Sequence, residues 1–74
     1  MDLSKSRWRK ATDVDREHAI FELVVDDMTL LDVGFSDDGI LEISFDAGIS
    51  STLTSYEEFS LVLARGKQLA EADK

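Results

Sequence analysis

Two apolar-alternating runs meet at Asp37-Asp38-Gly39, and this junction constrains the chain more than any other feature. A type I turn on the two aspartates, with Gly39 in the left-handed region that only glycine enters without penalty, closes a three-residue hairpin with a bulge and pairs Ser36 with Ile40. Side chains alternate along a strand, so this pairing sets every later one. Phe35 falls opposite Leu41, Val33 opposite Ile43 and Leu31 opposite Phe45, all facing inward.

A third run precedes these two. Residues 19–25, Ala-Ile-Phe-Glu-Leu-Val-Val, are rich in β-branched and aromatic side chains and put Ala19, Phe21, Leu23 and Val25 on one face. After the Asp26-Asp27 break, only registers of matching parity keep Phe21 and Leu23 beside Val33 and Leu31. The simplest of these sets Val25 opposite Thr29. Asp46-Ala47-Gly48 turns the chain again, and Ile49–Leu53 is either a short edge strand or an extended connector.

Thr54…Glu57 and Ser55…Glu58 both fit the capping-box spacing, so a helix begins at Thr54 or Ser55 and runs to about Ala72. Tyr56, Phe59, Val62, Leu63, Gly66, Leu69 and Ala70 form its apolar stripe. Gly66 in mid-helix costs about 1 kcal/mol relative to alanine, so it marks either a close backbone approach or an earlier helix end at Arg65. The expected architecture is α+β: an antiparallel meander of three strands, or four if Ile49–Leu53 pairs, packed on one C-terminal helix.

Seventy-four residues allow one domain, read as a basic arm or short helix over 1–17, sheet over 18–53 and helix over 54–73. Leu3 and Trp8 are candidate anchors for that segment if it forms a short amphipathic helix. A chain this short buries about 60% of its unfolded surface, which favours partner binding or self-association. With no cysteine, it has neither a disulfide nor a thiolate metal site, as suits a reducing cytoplasm. No apolar run approaches the roughly 20 residues of a membrane span, and Met1–Lys10 lacks the apolar middle of a secretory signal. A cytoplasmic location is expected.

Charge is segregated. Residues 1–16 carry five basic side chains against three acids, whereas Glu17–Ala64 carries eleven acids and no lysine or arginine, within a net charge of −8. An acidic body repels nucleic-acid phosphates and anionic membranes and attracts basic partners at rates that fall with salt. Arg7-Trp8-Arg9-Lys10 is too short to reverse that, and no nucleic acid or membrane partner is expected.

In the register above, the outward face sets Glu22 opposite Asp32, Glu42 diagonal to Asp32 and Asp46 opposite Leu30. Like charges facing across strands destabilise a sheet by up to about 1 kcal/mol. Ile20, Val24 and Leu30 share the face, giving the mixture of polar rim and apolar anchors typical of a protein-binding surface. The alternatives are a solvated face, or one neutralised from within, with Arg7, Arg9 and Lys10 folded over Glu22, Asp32 and Glu42 while Trp8 covers Val24 and Leu30.

Asp26, Asp27 and Asp46 reach the same end of the sheet, but hairpin aspartates are usually turn formers, so no metal site is expected. His18 has no serine or carboxylate partner at a recognised catalytic spacing, and Glu57-Glu58 has a structural cause in the helix N-terminus. The sequence therefore predicts neither enzyme activity nor a cofactor. It predicts a non-enzymatic inhibitor, immunity or adaptor type of module meeting a basic protein through Glu22, Asp32, Glu42, Asp46, Ile20, Val24 and Leu30. The alternative is a homodimer joined through a sheet edge or the N-terminal arms.

Overall fold

The computed structural model describes residues 3–74. Four antiparallel strands lie in sequence order, β1 (Arg7–Ala11), β2 (Ile20–Val25), β3 (Met28–Phe35) and β4 (Leu41–Phe45), and are followed by one helix, α1 (Tyr56–Ala72). The α+β class is as expected, but the fourth strand is a different one. Arg7–Ala11 pairs with β2, Trp8 lying opposite Leu23, so the expected arm is an edge strand. Ile49–Leu53 does not pair; Ala47–Ser51 is a 3₁₀ turn.

The β3–β4 register matches the sequence reading, with Phe35 opposite Leu41, Val33 opposite Ile43 and Leu31 opposite Phe45. Gly39 has φ 82°, and its N–H donates to the Ser36 carbonyl at 2.9 Å. Glu22 does face Asp32, but Val25 faces Met28 rather than Thr29. Asp26 and Asp27 both adopt left-handed backbone, φ 48° and 65°, making a two-residue turn whose twist suits a hairpin. The one-residue offset is absorbed by a bulge that leaves Leu30 as the extra residue of β3, between pairs Leu23–Leu31 and Val24–Thr29.

The core joins Leu3, Phe21, Leu23, Val25, Leu30, Leu31, Val33, Phe35 and Ala70, with Trp8, Leu41, Ile49, Phe59, Val62, Leu63 and Leu69 packed against it. Ser55 caps α1 by accepting from the Glu58 N–H at 3.0 Å, and Thr54 Oγ1 donates to the Glu58 carboxylate at 3.1 Å. Tyr56 leaves the predicted stripe and is 87% exposed. Gly66 continues the helix and is buried under Trp8: a Cβ there would stand 2.6 Å from Cη2 and Cζ2 of the indole. Trp8 therefore packs on the helix side of the sheet and does not cover Val24 and Leu30 from the other.

Helix α1 lies over β2 and β3 rather than over β4. A helix is about 10 Å wide and four strands span about 19 Å, so one helix leaves part of the sheet bare. Trp8 and Leu3 fill the β1 side; on β4 only Leu41 is half-buried against the core, and Ile43 and Phe45 stay exposed.

Candidate functional site

Two surfaces meet along β4. On the helix side, Leu41, Ile43 and Phe45 point as the alternation requires, yet Ile43 is 40% and Phe45 58% exposed. A cleft of about 400 Å³ separates Leu41 and Ile43 from α1, lined also by Val33, Leu63, Ala64 and Lys67 among others. Further along, a second hollow lies among Phe45, Ile49, Thr52, Thr54 and Phe59. Leu61 and Tyr56 add exposed apolar surface on α1. A sheet edge also presents unpaired backbone donors and acceptors, a template for another strand.

The opposite face carries the predicted acids, but not as an open anionic surface. Arg9 of β1 donates from Nε (3.2 Å) and Nη2 (3.1 Å) to Glu22 Oε1, and reaches Thr29 Oγ1 at 3.5 Å, crossing β2 as it does so. Arg16, in the loop between β1 and β2, donates to the Phe35 carbonyl at 3.1 Å and to Glu42 at 3.3 Å. The Glu17 N–H donates to Asp37 at 3.1 Å, so this loop is tied to the β3–β4 turn. Of the expected internal neutralisation only the Arg9–Glu22 pair is present; Glu42 is met instead by Arg16, which the sequence reading did not single out. Arg7 lies 3.9 Å from Asp27, and Lys10 serves the helix side, where its Nζ meets Asp73 at 2.6 Å and holds that carboxyl below its usual range.

Asp32 and Asp46 have no ion pair among the described residues. Burial, then the charges of Asp46 and Glu22, push the Asp32 carboxyl above the usual carboxylate range, with Arg16 acting the other way.

Of the proposed anchors, Ile20 is half-buried and rests against Gly34, where a Cβ would stand 3.0 Å from Ile20 Cγ2. Val24 and Leu30 are not available to a partner, being only 1% exposed each. The bulge explains Leu30, because doubling two residues against Leu23 turns the extra side chain into the core. The strand Arg7–Ala11 explains Val24 in part, since it places Arg7 and Arg9 beside a position that would be bare at the edge of a three-stranded sheet.

Among the described residues, no group of three or more histidine, aspartate or glutamate side chains is placed to hold a metal ion, and no helix is long and apolar enough to cross a membrane. No protein-family profile, curated protein or solved structure matches the chain.

Proposed function

We propose that this chain is a small acidic, non-enzymatic protein-binding module, and that its binding side is the β4 flank. The observation that carries the reading is the exposed pair Ile43 and Phe45, beside the half-buried Leu41, on a strand with no neighbour beyond it among the described residues and with α1 set chiefly over β2 and β3. A polypeptide laid along β4 would bond its free edge while its alternate side chains entered the cleft beside α1, the mode by which exposed edges accept an added strand. The row lies on an extreme strand, so occupancy requires no rearrangement of the core.

A second reading keeps the acidic face and a basic partner, and is favoured by Asp32 and Asp46, which form no ion pair among the described residues, and by the crowding of Asp32 by Asp46 and Glu22. With Val24 and Leu30 buried, that surface holds on charge more than on apolar area.

Photo-reactive residues placed singly at Ile43, at Ser44 and at Asp15, with cross-linking in the native cell, test both readings. The β4-flank reading expects a polypeptide adduct at Ile43 and none at Asp15. An adduct at Ser44 alone, abolished by salt, would favour the acidic face, and no adduct at Ile43 would refute the β4 flank.

A further inference from the structure

Strand β4 has one bonded side and one free side, and the phase of its ladder decides which residues belong to each. At one end the Ser36 N–H donates to the Ile40 carbonyl at 2.8 Å; at the other the Asp46 N–H donates to the Leu30 carbonyl at 2.9 Å. Hydrogen-bonded pairs alternate along an antiparallel ladder, so Ile40, Glu42, Ser44 and Asp46 bond to β3. The N–H and C=O groups of Leu41, Ile43 and Phe45 therefore point to the free edge, and two of the three, Ile43 and Phe45, carry exposed apolar side chains beside the half-buried Leu41.

We propose that β4 pairs antiparallel with β4 of a second copy of this chain, with Ile43 on the two-fold axis. The proposal rests on the reading of β4 as the binding flank and names its occupant. An added strand must match outward-facing residues with outward-facing residues, which leaves three central registers. With the axis at Glu42, the two Glu42 side chains face each other directly. With the axis at Ser44, Glu42 faces the partner's Asp46. With the axis at Ile43, Glu42 faces the partner's Ser44, Leu41 faces the partner's Phe45, and the two Ile43 side chains meet. Only this last register avoids opposed acids, and it also uses all three free residues of each strand, for six backbone hydrogen bonds.

The opposite edge does not compete on equal terms. Strand β1 carries Arg7, Arg9 and Lys10, and cations, lysine above all, blunt a sheet edge. All three already hold intramolecular acids. Between Leu41 and Phe45 there is neither a cation nor a proline. Pairing β4 with itself also closes as a dimer, whereas β4 on β1 would continue indefinitely.

Register-specific cross-linking tests the proposal on the full chain, which has no cysteine of its own. In a hydrogen-bonded antiparallel pair the Cα atoms are about 5.5 Å apart, within disulfide range. Under copper–phenanthroline oxidation, Ile43→Cys should give a covalent dimer. Leu41→Cys alone and Phe45→Cys alone should not, because their symmetry mates lie four residues apart along the strand, about 14 Å. A mixture of those two variants should cross-link. Sedimentation of the unmodified chain should show a monomer–dimer equilibrium that tightens at least tenfold from about 10 to about 150 mM NaCl, since two chains of like charge repel. Ser44→Lys should tighten it further by meeting the partner's Glu42.

Equal cross-linking by Leu41→Cys alone, species larger than a dimer, or a strict monomer at about 1 mM chain would overturn the proposal. An Ile43 photo-adduct with a different polypeptide would overturn the second copy and leave the β4 flank standing. No adduct there would overturn both.

Discussion

Replacing Gly66 by alanine should lower stability, against the usual rule for helix interiors. Alanine gains about 1 kcal/mol over glycine in a helix through lower chain entropy in the unfolded state. Here the new Cβ would sit 2.6 Å from two carbons of the Trp8 ring, closer than carbon atoms pack, so the indole or strand β1 must move. Overpacking of this kind costs about 1–3 kcal/mol, which leaves a net loss of about 0–2 kcal/mol. Trp8→Leu keeps an apolar side chain on β1 and removes the Cη2 and Cζ2 atoms. In that background the clash is gone, and Gly66→Ala should stabilise by about 1 kcal/mol, or about 4–8 °C in Tm. The effect should thus reverse sign, a coupling of about 1–3 kcal/mol measured by urea unfolding of the four proteins in a double-mutant cycle. Far-UV circular dichroism is the suitable signal, because Trp8 is the only tryptophan. The same gain in both backgrounds would mean that Trp8 does not lie on Gly66, and with it would go the packing of the β1 side against the helix.

Asp32→Asn tests the strain on the outer face. The folded-state pKa of Asp32 is raised, so its ionisation weakens the fold; that penalty is absent below the unfolded value of 3.8 and develops as pH rises through the folded value. The asparagine variant should be the more stable protein at pH 7 and lose its advantage near pH 4 in chemical denaturation. Equal stability at both pH values would count against the crowding of Asp32 by Glu22 and Asp46. Asp26→Asn with Asp27→Gly should raise stability by about 1 kcal/mol in thermal melts, since both positions hold left-handed backbone. The lost Asp27–Arg7 contact, at 3.9 Å and largely in solvent, should not offset this. Ser55→Ala should cost about 1 kcal/mol by orphaning the Glu58 N–H, while Ser55→Asp should retain most of it.

Local chemistry made part of this fold legible. Asp37-Asp38-Gly39 has few alternatives for its backbone, and alternation carried that single constraint through ten residues of β3 and β4. The Ser55 cap and the Gly66 contact were foreshadowed in the same way, by residues whose presence is costly or unusual without a structural cause. Strand β1 was not legible, because Arg-Trp-Arg-Lys-Ala has one apolar side chain in five and reads as a solvated arm. It becomes a strand because Trp8 gains burial against Gly66 and Leu23 and its cations gain Glu22 and Asp73, all distant in sequence. The Leu30 bulge is likewise a compromise between a two-residue turn and the parity demanded by Leu23 and Leu31. It removed Leu30 from the seven residues expected on the outer face, and strand β1 helped to cover a second, Val24. The exposure of β4 depends on where one helix comes to rest, which no periodicity encodes, although the width of a helix against that of a sheet already implies that something stays uncovered.

The two surfaces along β4 respond to salt in opposite senses. Side-by-side pairing puts two −8 chains roughly 19 Å apart, about four strand spacings. In water their repulsion would be about 14 kcal/mol without ions, about half that at 10 mM salt, and about 1 kcal/mol at 150 mM, where the Debye length is about 8 Å. The backbone bonds and the Leu41, Ile43 and Phe45 contacts of the paired edge scarcely depend on ions, so added salt removes the chief opposition and association must strengthen. A basic partner on Asp32 and Asp46 would lose its attraction over the same range. Placing each chain's charge at one centre simplifies its spread over the surface, but the net charge of −8 already includes the Arg9–Glu22 and Arg16–Glu42 pairs, and the sign is unchanged. Self-association that weakened steadily with salt would therefore mean that opposite charges hold the copies together. The arginines of one chain would then have to meet the acids of another, and pairing through β4 would be excluded.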